Sequence, residues 1–210
     1  MPILSSELQR NQTRRAILDA AREGFVKHGY EGVSMRRIAT ELNCSPGTIY
    51  LYFQDKEELF QTLVEESFRR LLERLQELPR ANADPVEMIR QALHVYVGFG
   101  LRFPSDYAFA FLLRSERPHR PHAAFEMLRF AVRRCVEEGR FRPVDVETAS
   151  QGIWAAVHGV TALLIQRPRF PWVKKSKLIE HVIDTTLEGL QAAAAQPRGN
   201  GGGNGHTNRK

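Results

Sequence analysis

SPGTIYLYF, residues 45–53, is the stretch on which the reading of the whole chain turns. It opens as a helix should. Ser45 is a good N-cap, and Pro46 suits a first helical position, where a missing N–H costs nothing. Yet the segment is too short to be a stable helix alone, and it carries Gly47, Thr48, Tyr50 and Tyr52. Ile49 and Phe53, four apart, share a face that would pin the segment to neighbouring helices. The remaining residues then point away from that support, toward a partner outside the chain.

The upstream residues supply the support. From Thr13 to His28, Ile17, Ala21 and Phe25 recur at helical steps, and Gly29 stands where a helix-ending glycine belongs. Ser34 caps a second short helix with Ile38, Ala39 and Leu42 inside, and Asn43, tolerated in the left-handed region, ends it. Only Asn43 and Cys44 separate that helix from the one begun by Ser45. This is helix-turn-helix spacing, in which the second helix enters the major groove of DNA. Gly47 would then permit close approach, and Thr48 would bond a base edge or touch a thymine methyl. Tyr50 and Tyr52 carry phenols suited to phosphate oxygens. Ser34, Arg36 and Arg37 begin the preceding helix. Lys56 follows the cap Asp55 of the next one, where the helix dipole disfavours a cation and a phosphate would account for it.

GYEGVSMRRIATELNCSPGTIYLYFQDKEELF, Gly29 to Phe60, resembles the N-terminal DNA-binding region of the tetracycline-repressor (TetR) family of bacterial regulators. The likeness covers about 50 residues from Arg14 onward, in residue type, order and spacing. It implies a helix-start hydroxyl at Ser34, a recognition-helix aromatic at Tyr50 with Tyr52 following, and a phosphate-contacting lysine at Lys56. Asn43-Cys44 replaces a more usual glycine-valine turn, Leu51 occupies a site that is often tyrosine or histidine, and Arg37 stands where an acid is frequent.

Beyond residue 56 every segment between breakers again has helical spacing, and no run alternates at period 2, so the expected fold is all-α. Asp84-Pro85 opens a helix that continues to Pro104, and DYAFAFLLR reads as a short aromatic one. Further helices are expected over about 123–138, 143–166 and 174–195. The expected organisation is a DNA-binding domain at 1–56, a helical ligand-binding and dimerisation domain at 57–195, and a disordered tail at 196–210, rich in glycine and asparagine.

Composition sets the outer bounds. The 210 residues carry a net charge of +6, half of it on Arg198, Arg209 and Lys210 of the tail, so the body is only mildly basic. No apolar run long enough for a bilayer span and no secretory leader are read, and Cys44 and Cys135 form no zinc-type spacing, which suggests a reducing cytoplasm. His119 and His122 form an H-x2-H without a third ligand, so no metal and no cofactor are expected. Nucleophile elbows and phosphate-binding glycine loops are absent from the sequence, and an enzyme is not expected.

Two features of the later helices point to partners. Ala149, Gly152, Ala156 and Gly159 form a small-residue stripe, and Ile179, Val182, Ile183, Thr186 and Leu190 line one side of the last helix. Two such helices from each of two subunits would pack as a four-helix bundle, the dimer that the family resemblance implies. Aromatic and polar residues Tyr96, Phe99, Phe103, Tyr107, Phe111, Trp154, His158 and Thr161 are expected to line a pocket for an unknown, small, largely apolar effector. WAAVHG, residues 154–159, resembles the WHG-containing C-terminal domains of one TetR subgroup. The implied protein is a homodimeric, ligand-responsive repressor of a near-palindromic double-stranded operator, with no membrane partner. The alternatives are an effector-independent dimeric DNA-binding protein and a helical small-molecule-binding protein without specific DNA binding.

Overall fold

Nine α-helices and one π-helical turn organise the described residues of the computed structural model, 2–78, 84–113 and 123–192. The expected disordered tail, His119 and His122 lie outside the described residues. The helices are α1 (Pro2–His28), α2 (Met35–Glu41), α3 (Pro46–Tyr50), α4 (Lys56–Gln76), α5 (Pro85–Arg102), α6 (Pro104–Tyr107), α7 (Ala123–Glu137), α8 (Val146–Gln166) and α9 (Lys175–Glu188). The π-helical turn, Ala108–Leu112, follows α6 directly. Among the described residues the only β feature is an isolated bridge between Phe141 and Gln191, so the protein is all-α.

The caps form as the residue types dictate. Ser34 Oγ accepts from Arg37 N–H at 3.2 Å, Ser45 Oγ from Thr48 N–H at 3.2 Å, and Asp55 Oδ1 from Glu58 N–H at 2.7 Å. Asn43 sits at φ 50° and Gly29 at φ 71°, each ending a helix in the left-handed region. α1 starts eleven residues earlier than its apolar periodicity begins. Residues 7–12 are exposed, so they leave no amphipathic trace, and good helix formers such as Glu7, Leu8 and Arg10 simply extend the helix.

Two cores divide the chain. In the head, Ile17, Phe25, Ile38, Ile49, Phe53, Leu59, Phe60 and Leu63 are buried together. In the body, Leu71, Ile89, Tyr96, Tyr107, Val132, Ile153, Val157, Ile183 and Leu187 are. The division expected after residue 56 does not coincide with this boundary: α4 gives Leu59 to Val64 to the head and Leu71 and Leu75 to the body. A single rigid helix therefore belongs to both.

The expected helix DYAFAFLLR is broken in two. Leu113 N–H bonds to Ala108 O at 2.8 Å, a five-residue step that rotates the turn. Phe109 thereby enters the head core against Phe60, ring centroids 5.5 Å apart, while Phe111 packs in the body against Tyr96 at 5.2 Å. By length and composition α8 could cross a membrane, which the sequence reading did not anticipate because Glu147, Gln151 and His158 interrupt it. Its buried residues Ile153, Val157, Val160, Thr161 and Leu164 face the protein interior.

Candidate nucleic-acid interface and interior cavity

α3 is held entirely by what lies beneath it. Ile49 is fully buried and Phe53 nearly so, and burial of two such side chains contributes about 1.5–3 kcal/mol each. The opposite face is open: Tyr50 is 54% exposed and Leu51 76%. Ser45 and Gly47 are exposed with them, and Thr48 is half-buried, its Oγ1 3.0 Å from Ser45 Oγ within the cap. A Cβ added at Gly47 would meet only Ser45 Oγ, at 3.6 Å. Nothing inside the fold requires glycine there.

The flanking residues are placed less uniformly. Arg36 is exposed. Arg37 is exposed too but tied back, donating to Gly32 O at 3.3 Å and lying 2.6 Å from His28 Nε2. Tyr52 is half-buried and packs against the head core. Lys56 donates to Tyr30 O at 3.2 Å and lies 3.9 Å from the Tyr30 ring centroid. That ring is itself fixed by donation from Tyr30 Oη to the buried Glu57 at 2.6 Å. Lys56 thus has an internal role in bracing the end of α1 against α4, beside any external one. Leu51 and Arg14, whose guanidinium lies 5.0 Å over the Phe53 ring, belong to the same exposed rim and were not among the expected contacts. An apolar residue at a helix end gives no base-reading signal in sequence.

In the body, α4, α5, α7 and α8 enclose a cavity of about 670 Å³, within the range of small-molecule sites. Its wall includes Leu72, Leu75, Met88, Ile89, Ala92, Phe125, Met127, Leu128 and Ala131. Of the eight residues expected at a pocket, only Tyr96 and Trp154 line it. Phe99, Phe103, Tyr107, Phe111, His158 and Thr161 are set outside this cavity and form the packing behind it, a correction to the aromatic-cluster expectation. Aromatic residues fill the layer between α5, α6 and α8. The cavity itself is walled largely by aliphatic residues of α4, α5 and α7, which sequence alone does not separate from ordinary core.

The charged wall residues are compensated. Glu126 takes Arg129 at 2.9 Å, and Arg134 donates to Glu138 at 2.8 Å. At the polar end Trp154 Nε1 donates to Tyr96 Oη at 3.2 Å. Tyr96 Oη lies 3.1 Å from Tyr107 Oη, which lies 2.7 Å from His158 Nδ1. Burial raises the phenol of Tyr96 and pushes that of Tyr107 up to about 12, and burial lowers His158 below its ordinary 6.5. His158 is therefore neutral near pH 7, with its Nδ1 within hydrogen-bond distance of both phenols.

α8 and α9 pack on each other and leave part of a face open. Gly152 is exposed, and Ala156, Gly159, Val182 and Thr186 are half-buried. A Cβ at Gly152 or Gly159 would meet nothing within 4 Å, and Leu163 beside them is 48% exposed. Two expected interface residues are corrected: Ala149 and Ile183 are buried inside the subunit, where they join the body core. Ile179 and Leu190 also pack largely against the body core.

Residues 17–63 match the model for bacterial regulatory proteins of the TetR family, and residues 89–186 match that for the tetracyclin repressor-like C-terminal domain. Together the two span more than half of the chain. The transcriptional repressor AcnR of Corynebacterium diphtheriae is 40% identical over 73 residues, 35% of this chain and 38% of that protein. The chain thus spans well under half the length of this curated relative. Among solved structures, the TetR family transcriptional regulator PfmR from Thermus thermophilus aligns over 84% of this chain and 99% of its own, with TM-score 0.61 and 25% identity. The fatty acid degradation regulator FadR from Bacillus halodurans shares the fold at TM-score 0.67 and 20% identity, over 83% of this chain and 94% of its own.

Proposed function

This chain belongs to the TetR family of bacterial regulatory proteins, and we propose that it is a homodimeric, ligand-responsive transcriptional repressor without enzymatic activity, acting in the cytoplasm. The observation that carries the reading is α3 itself. It is a five-residue helix whose inner face is spent on Ile49 and whose outer face presents Ser45, Gly47, Thr48 and Tyr50 to solvent. Ser45 and Thr48 serve the cap, but the fold gives no reason for Gly47 and the exposed Tyr50, and a major groove supplies one. Ser34, Arg36 and Arg37 at the start of α2, with Tyr52 and Lys56 beyond α3, would position the head on phosphates.

The open stripe on α8 and α9 supports the dimer, which would set two heads on the two halves of a near-palindrome. The cavity supports a small, largely apolar effector. Its binding would favour the arrangement of heads that cannot span successive grooves, and the repressor would leave. A mobility shift with footprinting and a salt titration tests this on duplex from around the protein's own gene. The expected result is a protected near-palindrome, lost in Tyr50→Ala, with affinity falling steeply with salt. Binding that is salt-insensitive, or that Tyr50→Ala leaves intact, sinks the reading.

A further inference from the structure

The segment RPRFPWVKKSK, residues 167–177, joins α8 to α9 and has no role in the function above. It holds five cations, Arg167, Arg169, Lys174, Lys175 and Lys177, and no acid. All five are exposed and none has an ion-pair partner among the described residues. Lys174 is the N-cap of α9 and Lys175 and Lys177 lie in its first turn, where the helix dipole disfavours positive charge. Each of α4 to α8 instead carries an acid in its first turn: Glu57 and Glu58, Glu87, Asp106, Glu126 and Glu147. Those five helices follow the electrostatic rule, whereas α9 reverses it, as does α2 with Arg36 and Arg37 in its first turn. Between the cations Phe170 and Val173 are more than half exposed, and Trp172 Nε1 donates to Arg167 O at 2.9 Å, shaping the loop from within.

Placement supplies the partner. A Cβ at Gly100 would lie 2.4 Å from Thr161, so the last turns of α8 run beside the end of α5. α5 leads straight into α6, whose Asp106 pairs with Arg22 of the head. The opposite end of α9 lies at the far pole, where Asp184 pairs with Arg90 near the start of α5. The basic loop therefore projects from the head-side end of the body. It also joins the two helices offered for dimerisation, so a dimer would bring two copies of it together between the heads.

We propose that residues 167–177 form an auxiliary DNA-backbone contact, engaging phosphates of the duplex between the two half-sites. This rests on the DNA-binding reading above. Phosphate contacts add affinity and salt dependence without adding sequence preference.

The test uses the full chain with Arg167, Arg169, Lys174, Lys175 and Lys177 all changed to Gln, on an operator duplex selected from a random-sequence library. The logarithm of affinity against that of salt concentration should lose about 0.9 of slope for each phosphate contact removed. Protection between the half-sites should weaken while the half-sites stay protected. The charge-keeping variant R167K/R169K should retain the wild-type slope, which separates lost charge from a disturbed loop. A wild type that binds no duplex overturns the regulator reading and this inference together. A wild type that footprints normally beside a variant of equal slope overturns this inference alone. So does a variant that keeps its slope but loses binding to phosphatidylglycerol vesicles, which would assign the patch to a membrane.

Discussion

Asp106 and Tyr107 are consecutive in α6 and hold opposite parts of the molecule. The Asp106 carboxylate takes Arg22 from the head and Arg70 of α4 at 2.7 Å, and the Tyr107 hydroxyl meets His158 of the body at 2.7 Å. The next turn repeats the division, with Phe109 in the head core and Phe111 against Tyr96 and Trp154 at the cavity. One short segment, residues 106–111, thus carries contacts to both the head and the cavity side of the body. Asp106→Asn leaves Arg22 with Glu66, 3.1 Å away, as its one carboxylate partner among the described residues, beside the Phe109 ring. Breaking a buried pair on one side should lower unfolding free energy by about 3 kcal/mol. It should also blunt the loss of operator affinity on ligand binding while ligand binding itself persists. Denaturant titration and a mobility shift with and without ligand check both, and an unchanged ligand response would remove α6 from the coupling.

Gly100 shows how closely α5, α6 and α8 fit. An added Cβ would sit 2.4 Å from Thr161 Cγ2 and 2.8 Å from Tyr107 Cδ2, both on buried residues. Gly100→Ala should therefore destabilise the body by about 1–3 kcal/mol despite the better helix propensity of alanine. Thr161→Ser deletes the nearer clashing methyl, so adding it to Gly100→Ala should recover part of the loss. Additive losses in the double variant, measured by thermal or denaturant unfolding, would place the strain elsewhere.

The head was readable from sequence because its signals are local. Ser34, Ser45 and Asp55 cap as their residue types require, Asn43 takes its left-handed turn, and Ile49 and Phe53 face inward. The cavity was not, because aromatic residues such as Phe99 and aliphatic ones such as Ala131 obey the same helical spacing whether they fill a core or wall a space. The interface stripe was readable only in part. Periodicity says that α8 and α9 are apolar on more than one side, but which side meets α5 and α7 is decided by the packing of the whole body. Ala149 and Ile183 went inward for that reason.

The cavity wall predicts the charge of its ligand. Glu126 and Arg134 already have partners, and an unpaired ion moved into so apolar a space pays a desolvation cost of several kcal/mol. Decanol should raise the melting temperature more than decanoate or decyltrimethylammonium at equal concentration. Decanoate should gain ground as pH falls and its carboxyl becomes neutral. Ala92→Phe, which fills the space, should abolish the shift while operator affinity stays. A carboxylate or ammonium probe that outperforms the alcohol would contradict the assignment.

His158 sets a pH dependence. Burial lowers its pKa in the folded state below the ordinary 6.5, so the unfolded chain binds the proton more readily. Its contribution is complete above pH 6.5 and is lost as pH falls below that value toward the lowered folded pKa. Wild type should therefore lose more stability between pH 7 and pH 5 than His158→Gln, whose amide oxygen can still accept from Tyr107. Parallel stability curves for the two proteins would show that His158 does not titrate differently on folding.

Gly47→Ala separates the two explanations for a glycine on a helix most cleanly. Its backbone carries no positive φ, and the new methyl would meet only Ser45 Oγ at an ordinary 3.6 Å. Alanine costs less entropy than glycine on entering a helix, so the fold should be unchanged or more stable by about 0.5–1 kcal/mol. If the outer face of α3 lies against DNA, the same methyl occupies the space of a base edge or sugar, and operator affinity should fall. A variant that is more stable and binds less well places the need for glycine outside the protein. A variant that binds as well as wild type places Gly47 away from the DNA surface, and the contacts of α3 would then begin at Thr48 and Tyr50.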